Sequence, residues 1–218
     1  MKLARLQTHY AQLMTRYGKI GILFFFFRPK STTMETKLNN KKVAILVADG
    51  FEESEFTQPL EALKQAGAEV HVISLKPGKV KAWADTNWGG EYNVDRTVNE
   101  VNPWDYDALV LPGGVMNPDV LRQDVEAVGF AGYFVSEGLP TAVICHGLIT
   151  LIETGELKDK TVTSYPSIKT DLINAGANWI DEEVVTDNGL VTSRSPKDLP
   201  AFCAKMLEEI AEGEHAVK

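Results

Sequence analysis

Cysteine is scarce in this chain: the 218 residues include only Cys145 and Cys203. Two cysteines are too few for the disulfide framework of a small secreted domain. Disulfides are also unnecessary, because a chain of this length buries enough apolar surface to form a stable core. We therefore expect both thiols to be reduced and the protein to be cytoplasmic.

Long hydrophobic runs are missing as well. The apolar run Ile20–Phe27 is far shorter than the roughly 20 residues that span a bilayer. A signal peptide is disfavoured, because a basic segment with proline, 28–30, stands where small cleavage-site residues belong. We expect residues 1–34 to be an extension that is disordered or arises from an upstream start, and residues 35–218 to form one domain. A peripheral membrane anchor or an organelle-targeting segment is the alternative for the extension.

Positive charge is scarce outside the first 33 residues. That segment holds six basic residues and no acid, which leaves 16 basic and 30 acidic side chains in the rest of the chain, a net charge of −14. An acidic body repels phosphate groups, and no basic stripe interleaved with aromatic residues is present. We expect neither nucleic acid nor a membrane among the partners of the domain.

Short apolar runs alternate with helical patterns from Lys42 onward, which is typical of an α/β domain with a mainly parallel sheet and helices on both faces. The pattern predicts strands at 43–47, 70–75, 108–111, 141–144 and 161–164. It predicts helices around 60–66, 120–137, 148–154 and 168–175, and a last helix that Asp198 caps and Gly213 ends. Residues 76–102 indicate a β-hairpin excursion, and Asp187-Asn188-Gly189 indicates a second hairpin.

The sharpest feature is Cys145, which directly follows the predicted strand 141–144 and precedes His146 and Gly147. Ligands of open α/β sheets bind at the carboxyl ends of strands. A turn straight from strand into helix strains the backbone of a nucleophile and projects its side chain into a crevice, where the helix N-terminus favours a thiolate. We predict that the pKa of this thiol lies below its ordinary value of about 8.5. The alternative is a packing cysteine, which is our interpretation of Cys203 in mid-helix.

Two further loops accompany the cysteine. His146 can act as general acid or base, or it can cap the following helix. Gly113 and Gly114 follow the predicted strand 108–111, and the N–H groups of Gly114 and His146 could form an oxyanion hole, although such a loop can also be an ordinary turn. Asp119 either orients His146 or merely lies near a helix start.

Three acids, Glu52, Glu53 and Glu55, lie at the predicted helix start after the first strand. Acids there suit the helix dipole. One of them could instead point inward and, kept protonated by burial, donate a hydrogen bond to the sulfur of Cys145. The spacing alone does not choose among the three.

These segments resemble the PfpI-type family of intracellular cysteine hydrolases, in the class I glutamine amidotransferase-like superfamily that includes the Parkinson's-disease protein deglycase. The resemblance covers residues 42–210 and implies a three-layer flavodoxin-like sandwich. It rests on motifs in the same order: ADGFEESE at 48–55, LPGG at 111–114, AVICHG at 142–147, TSYPSIKTD at 163–171 and VTSR at 191–194.

The resemblance also implies roles for individual residues, and neither a cofactor nor a metal ion. It makes Cys145 the nucleophile, His146 its base, and Gly114 with His146 the oxyanion donors. It places the inward acid at Glu55 and the acid that completes the triad, often across a subunit contact, at Asp119. The pocket would be lined by Tyr165, Gly113 and Glu52.

One departure from the family pattern concerns the residues after the Cys-His-Gly motif. Relatives usually have proline and then a large residue, whereas this chain has Leu148 and Ile149. The change relaxes the start of the helix and reshapes the pocket, so it bears on the substrate rather than on the nucleophile.

The resemblance implies a stress-related hydrolase or lyase that acts on reactive carbonyls or glycated protein adducts, as deglycases and glyoxalases do, with peptidase activity as a further possibility. Its partners would be small carbonyl compounds, glycated or unfolded protein, and a second copy of the chain in a homodimer or higher homo-oligomer. A redox sensor or stress holdase without turnover is the alternative. A glutamine amidotransferase is disfavoured, because His215 is the only histidine downstream of the motif.

Overall fold

A computed structural model describes residues 38–215. The expectations for residues 1–34 lie outside the described residues, and the proposed domain boundary stays a prediction.

The described residues form a sequence of alternating strands and helices. The strands are β1 (Lys42–Leu46), β2 (Glu69–Ser74), β3 (Lys79–Ala84), β4 (Asn87–Asn93), β5 (Arg96–Thr97), β6 (Ala108–Leu111), β7 (Thr141–Ile144), β8 (Thr161–Val162), β9 (Asn178–Trp179), β10 (Val184–Asp187) and β11 (Leu190–Ser193). The helices are α1 (Glu53–Gln65), α2 (Met116–Leu121), α3 (Val125–Ser136), α4 (Leu148–Ile152), α5 (Lys169–Asn174) and α6 (Leu199–Glu212). No helix within 38–215 is both long and apolar enough to span a membrane.

Seven strands form the central sheet, in the order β10-β11-β7-β6-β1-β2-β5. All neighbouring strands pair parallel except β10 and β11, which form the antiparallel hairpin predicted from the Asn-Gly turn. A separate antiparallel hairpin, β3–β4, confirms the predicted excursion, and β8 pairs with β9 in a short parallel ladder. The predicted α/β architecture with a mainly parallel sheet is confirmed.

The inner strands are apolar throughout because the two faces of the sheet pack against two separate hydrophobic clusters. In β1, Val43 and Ile45 lie in one hydrophobic cluster, while Ala44 and Leu46 lie in the other. Successive side chains of a strand point to opposite faces, so a strand covered on both sides needs apolar residues at every position. Phe56 of α1 and Phe202 of α6 fill one cluster, and Phe130 and Phe134 of α3 fill the other, which gives three layers.

The prediction of one helix over 120–137 is wrong. The chain leaves the helical path at Arg122–Asp124, and the Asp124 carboxylate accepts hydrogen bonds from the N–H groups of Glu126 and Ala127 at 3.0 Å each. An aspartate in this position starts a new helix by satisfying free N–H groups. The sequence pattern therefore corresponds to two helices, α2 and α3.

Asp198 occupies the N-cap position of the last helix as predicted, but it does not cap the helix with its side chain. Asp198 precedes α6, but its side chain accepts no hydrogen bond from the first turn of the helix. It is buried and accepts instead from the Arg194 guanidinium, at 2.9 and 3.1 Å. This ion pair holds the chain between β11 and α6.

Strand order fixes the place where a site can form. From β1 the chain first moves to β2 on one side and later returns to β6 on the other side. The loops that follow β1 and β6 therefore diverge at the carboxyl edge, and such a switch point opens a crevice for ligands. The loop after β7, the next strand along, reaches the same edge.

Candidate active site

Cys145 lies on the sharp turn predicted for it. It follows β7 directly, starts a single 3-10 turn (Cys145–Gly147) and leads into α4. Its φ of +61° is in the left-handed region, which is strained for a side chain other than glycine. A Cβ at Gly147 would lie 2.6 Å from the carbonyl oxygen of Leu111, so only glycine permits this close approach of the two loops.

The side chain of Cys145 is more enclosed than predicted. Only 7% of the residue is exposed, and it borders the hydrophobic cluster that contains Ile144. The expectation of a sulfur projecting into an open crevice is therefore corrected: the cysteine is almost fully enclosed.

His146 is placed to exchange a proton with the cysteine. Its Nδ1 lies 3.2 Å from the sulfur of Cys145, and its Nε2 lies 2.9 Å from the hydroxyl oxygen of Ser167. Its ring stacks on Tyr165, with centroids 4.8 Å apart. Burial lowers the pKa of His146, which keeps the imidazole neutral near pH 7. A neutral ring whose Nε2–H donates to Ser167 leaves the Nδ1 lone pair free to accept the thiol proton. No side-chain cap of α4 is present, so the geometry favours the acid–base interpretation over the capping one.

Glu55 is the acid that points inward. It is fully buried, and its Oε2 accepts a hydrogen bond from the N–H of Gly113 at 2.9 Å. Burial raises the pKa of its carboxyl to about 8, against the lowering effect of hydrogen bonds from Cys145 and Gly113. Near pH 7 the carboxyl is therefore mostly protonated. A protonated inward acid beside the sulfur is what the sequence analysis expects.

The other two acids of the same loop have different surroundings. Glu53 accepts hydrogen bonds from the N–H of Gly90 at 2.8 Å and from the hydroxyl of Tyr92 at 2.6 Å, and these bonds lower its pKa. Glu53 thereby ties α1 to the β3–β4 hairpin. Glu52 is half-buried and accepts a hydrogen bond from the Ser54 hydroxyl at 3.1 Å.

The paired glycines lie where a side chain would collide with the site. A Cβ at Gly113 would lie 2.7 Å from the Cβ of Cys145 and would also overlap the Glu55 carboxylate. Gly114 has a φ of +79°, and a Cβ there would lie 2.8 Å from the amide nitrogen of Glu52. The N–H groups of Gly114 and His146 lie beside the Cys145 sulfur and lower the pKa of its thiol. Both predicted oxyanion donors therefore point toward the reacting atom.

The acidity of Cys145 departs from the prediction of a lowered pKa. Burial of the sulfur raises the pKa of the thiol, and the negative charge of Glu55 raises it further, while the N–H groups of His146 and Gly114 lower it. Because burial also raises the pKa of Glu55, the two groups form a coupled pair that carries both protons near pH 7 and a single proton above about pH 8. The repulsion from Glu55 vanishes whenever that carboxyl carries the proton, and the two N–H groups then favour the thiolate.

Asp119 does not contact His146 within one chain. It is exposed on α2, and its backbone carbonyl accepts a hydrogen bond from the Gln123 side chain at 2.6 Å. Ser167 occupies the Nε2 side of the imidazole instead. The role implied for Asp119 across a subunit contact stays a prediction.

The structure places two residues in the site that the sequence analysis does not identify as functional, Ser167 and Asn117. Ser167, which contacts His146, lies inside the quoted motif TSYPSIKTD, but nothing in its spacing marked it as a partner of the imidazole. Asn117 is fully buried, and its side chain accepts from the N–H of Ala48 at 2.7 Å and donates to the carbonyls of Pro112 and Gly113 at 2.9 and 3.1 Å. It fixes the loop after β6 to the end of β1, and a lone asparagine at a helix start gave no signal of this.

A cavity of about 430 Å³ adjoins the site between the start of α1 and the β3–β4 hairpin. Its lining includes Glu52, Glu53, Tyr92 and Pro196. Of the three predicted pocket residues, Glu52 lines this cavity, Gly113 is buried against Glu55 and Cys145, and Tyr165 is exposed beside His146. Neither Cys145 nor His146 lines this cavity, and Glu52, Glu53 and Asp85 make its wall acidic.

The arrangement also bears on the amidotransferase alternative. The backbone N–H of His215 donates to the carbonyl of Gly138 at 2.9 Å. Gly138 precedes β7 whereas Cys145 follows it, so His215 lies at the opposite edge of the sheet. It cannot act on the Cys145 sulfur as a downstream catalytic histidine.

Comparisons with known proteins agree with this geometry. The family model described as DJ-1/PfpI family matches residues 41–209, which include Glu55, Cys145 and His146. A deglycase of Pyrococcus abyssi is 46% identical over 167 residues, or 77% of this chain and 98% of that protein. YraA of Bacillus subtilis, named as a proposed cysteine protease, is 45% identical over 163 residues, or 75% of this chain and 94% of that protein. The crystal structure of Drosophila melanogaster DJ-1beta matches with a TM-score of 0.70 at 31% identity, covering 78% of this chain and 90% of that one.

Proposed function

The chain belongs to the DJ-1/PfpI family, and we propose that it is a cysteine-dependent hydrolase or lyase that acts on reactive carbonyl compounds or on glycated protein adducts. One observation carries the proposal: Cys145 has a φ of +61° at the end of β7, and its sulfur lies 3.2 Å from Nδ1 of His146. The buried Glu55 on the other side completes a nucleophile with two groups that can exchange a proton. The deglycase name of the Pyrococcus abyssi relative supports the choice of substrate class.

The first chemical step is addition of the sulfur to a carbonyl carbon. The thiol proton passes to Nδ1 of the neutral His146, and the resulting thiolate attacks. A C–S bond forms while the C=O π pair moves onto oxygen, which then takes up a proton. The N–H groups of Gly114 and His146, which lie beside the sulfur, would donate to this oxyanion.

Later steps with a 2-oxoaldehyde need only proton transfers and water. The neutral His146, free again once the oxyanion has taken up its proton, removes the hydrogen of the former aldehyde carbon, and the neighbouring ketone oxygen gains a proton to give an enediol. Ketonisation leaves a thioester on Cys145. Water hydrolyses that thioester, releases a 2-hydroxy acid and restores the thiol. The substrate is oxidised at one carbon and reduced at the next, so no external oxidant or reductant is required.

Enclosure of the sulfur favours small substrates over folded protein chains. With only 7% of Cys145 exposed, an aldehyde or the tip of a modified side chain reaches the sulfur more readily than a main-chain amide held in a folded protein. Peptidase activity would be confined to short or unfolded segments.

The test is consumption of methylglyoxal by the wild type, Cys145→Ala and the matched control Cys203→Ala. Cys203 is the other free thiol and lies on α6, away from the site. We expect kcat/KM to fall by about a thousandfold or more for Cys145→Ala and to stay within about twofold for Cys203→Ala. Equal rates for wild type and Cys145→Ala would refute the proposal. Oxidation of Cys145 without turnover of any carbonyl substrate would instead identify the redox-sensor alternative.

A further inference from the structure

The C-terminal end of α6 brings together three side chains that suit a metal ion. Glu209, Glu212 and His215 each present one ligand atom, and the three atoms lie within 4.8 Å of one another. The spacing of three residues places Glu209 and Glu212 on one face of the helix. The cluster lies at the edge of the sheet opposite Cys145, so the proposed catalytic function does not account for it.

Two of the three ligand atoms, Glu209 Oε2 and His215 Nε2, have no hydrogen-bond partner among residues 38–215. Only 5% of the Glu209 side chain is exposed, and its Oε2 lies 3.0 Å from Nε2 of His215. Both atoms are shielded from solvent, and the angles at which they meet satisfy no hydrogen bond. Two ligands of one tetrahedral zinc ion are roughly 3.3 Å apart, given metal–ligand bonds of about 2.0–2.1 Å. The observed separation is close to that value.

The position of His215 is fixed by its surroundings. Gly213 ends α6 with a φ of +87°, which turns the chain back over the last turn of the helix. The N–H of His215 then donates to the carbonyl of Gly138 at 2.9 Å. A Cβ at Gly189 would lie 3.0 Å from the imidazole ring, so the glycine leaves space for it. A pinned imidazole loses little conformational entropy when it binds an ion.

Local charge also favours a cation. Glu209 and Glu212 lie at the C-terminus of a 14-residue helix, where the unpaired carbonyl groups attract positive charge. Lys205 lies 3.0 Å from Oε1 of Glu209 and 3.1 Å from Glu208, so it compensates only part of the acidic charge. It contacts the other oxygen of Glu209 and leaves Oε2 directed at His215. The exposed Glu212 can rotate toward the same point.

We propose that Glu209, Glu212 and His215 bind one zinc ion. One imidazole nitrogen and two carboxylate oxygens are ligands that zinc accepts in tetrahedral sites, with a water molecule in the fourth position. Bound there, the ion links the end of α6 to the Gly138 turn before β7 and to the β10–β11 hairpin through His215. Its role is to clamp the C-terminal segment to the sheet.

The experiment measures zinc binding by titration calorimetry to full-length, chelator-treated protein. The variants are His215→Ala and Glu212→Gln, with Glu214→Gln as the matched control, since Glu214 is an exposed neighbour outside the cluster. Cys145→Ala is included because a thiol beside an imidazole can bind zinc itself. We expect one ion per chain for wild type, Glu214→Gln and Cys145→Ala, and at least tenfold weaker binding for His215→Ala and Glu212→Gln.

Two further readouts separate this site from the cysteine. Cobalt bound in place of zinc should show no thiolate charge-transfer absorption, because all proposed ligands are nitrogen or oxygen. Zinc should raise the melting temperature of the wild type by several degrees and that of His215→Ala hardly at all. Absence of zinc binding to the wild type, binding lost only in Cys145→Ala, or equal affinity in His215→Ala would each overturn the proposal.

Discussion

Replacing Glu55 by glutamine should change how the stability of the protein depends on pH. Glutamine has nearly the shape of a protonated glutamic acid, and its side-chain oxygen can still accept the hydrogen bond from the Gly113 N–H. The substitution therefore keeps the packing of the neutral acid and removes its ability to ionise. If the difference in unfolding free energy between the two proteins grows with pH, it measures the destabilisation caused by a buried negative charge at Glu55.

The size and sign of the effect follow from the raised pKa of Glu55. Its pKa is 4.5 when exposed in the unfolded chain and about 8 in the folded protein. The folded state thus binds the proton more tightly, so this contribution to stability is complete below pH 4.5 and is lost as the pH rises through about 8. Each pKa unit corresponds to about 1.4 kcal/mol, which gives an upper limit of about 5 kcal/mol over the whole window.

Urea unfolding of the wild type and Glu55→Gln between pH 4.5 and 8 measures the difference in unfolding free energy. This range lies below the pH at which an unfolded-chain thiol ionises. We expect the wild type to lose up to about 1.4 kcal/mol per pH unit relative to the variant. Glu53→Gln is the matched control: hydrogen bonds lower the pKa of Glu53, so its contribution is lost only as the pH falls and should be constant here. Parallel curves for wild type and Glu55→Gln would refute the reasoning.

Three further predictions concern positioning and stability. Ser167→Ala should lower kcat about tenfold with little change in KM, because His146 loses its Nε2 partner, and Ser167→Thr should restore kcat; steady-state kinetics across pH would show this. Gly114→Ala should cost about 2–4 kcal/mol of unfolding free energy, since a Cβ at a φ of +79° would collide with backbone atoms; unchanged stability in urea titrations would contradict the geometry. Asp124→Ala should cost about 1 kcal/mol, because α3 loses its N-terminal cap, whereas Asp124→Asn should recover most of it in the same titration.

The coupling between Cys145 and Glu55 gives the mechanism its pH dependence. Burial raises the pKa of both groups, so the active monoanion carries one proton that either the sulfur or the carboxyl can hold. The reactive form has the proton on Glu55 and the charge on sulfur. Loss of this proton at high pH places two negative charges side by side, which opposes both catalysis and folding.

Local patterns were sufficient to predict the strands and the turn at Cys145. Apolar runs such as 43–47 and 141–144 are recognisable because strands covered on both faces require apolar side chains at successive positions. The Cys-His-Gly sequence after such a run predicted the strained turn, since a chain that passes directly from strand to helix has few backbone conformations available. Glycine at 147 is required by the approach of another loop, and its identity is visible in the sequence even though the approaching atom is not.

Errors arose where a continuous pattern hid a local break or where a contact joined distant segments. Helical spacing continues through Arg122–Asp124, so nothing in the pattern divides the helix, although Asp124 starts a new helix. Aspartate is a residue type that commonly caps helices, but the carboxylate of Asp198 accepts a hydrogen bond from the Arg194 guanidinium instead. The helix N-terminus predicts a lowered pKa for the thiol of Cys145. Burial of the sulfur and the charge of Glu55 raise this pKa by more than the N–H groups lower it.

The sequence by itself determined the main parallel strands, the two hairpins, the strained turn at Cys145 and the candidate groups His146, Gly113 and Gly114. These follow from short-range rules of side-chain alternation and backbone conformation, which involve neighbours along the chain. Only the tertiary structure decided that Glu55 rather than Glu52 or Glu53 faces Cys145, that Ser167 holds His146, and that His215 joins Glu209. These contacts join residues that are 6, 21 and 90 positions apart in the chain, and their distances and burial depend on how the layers pack together.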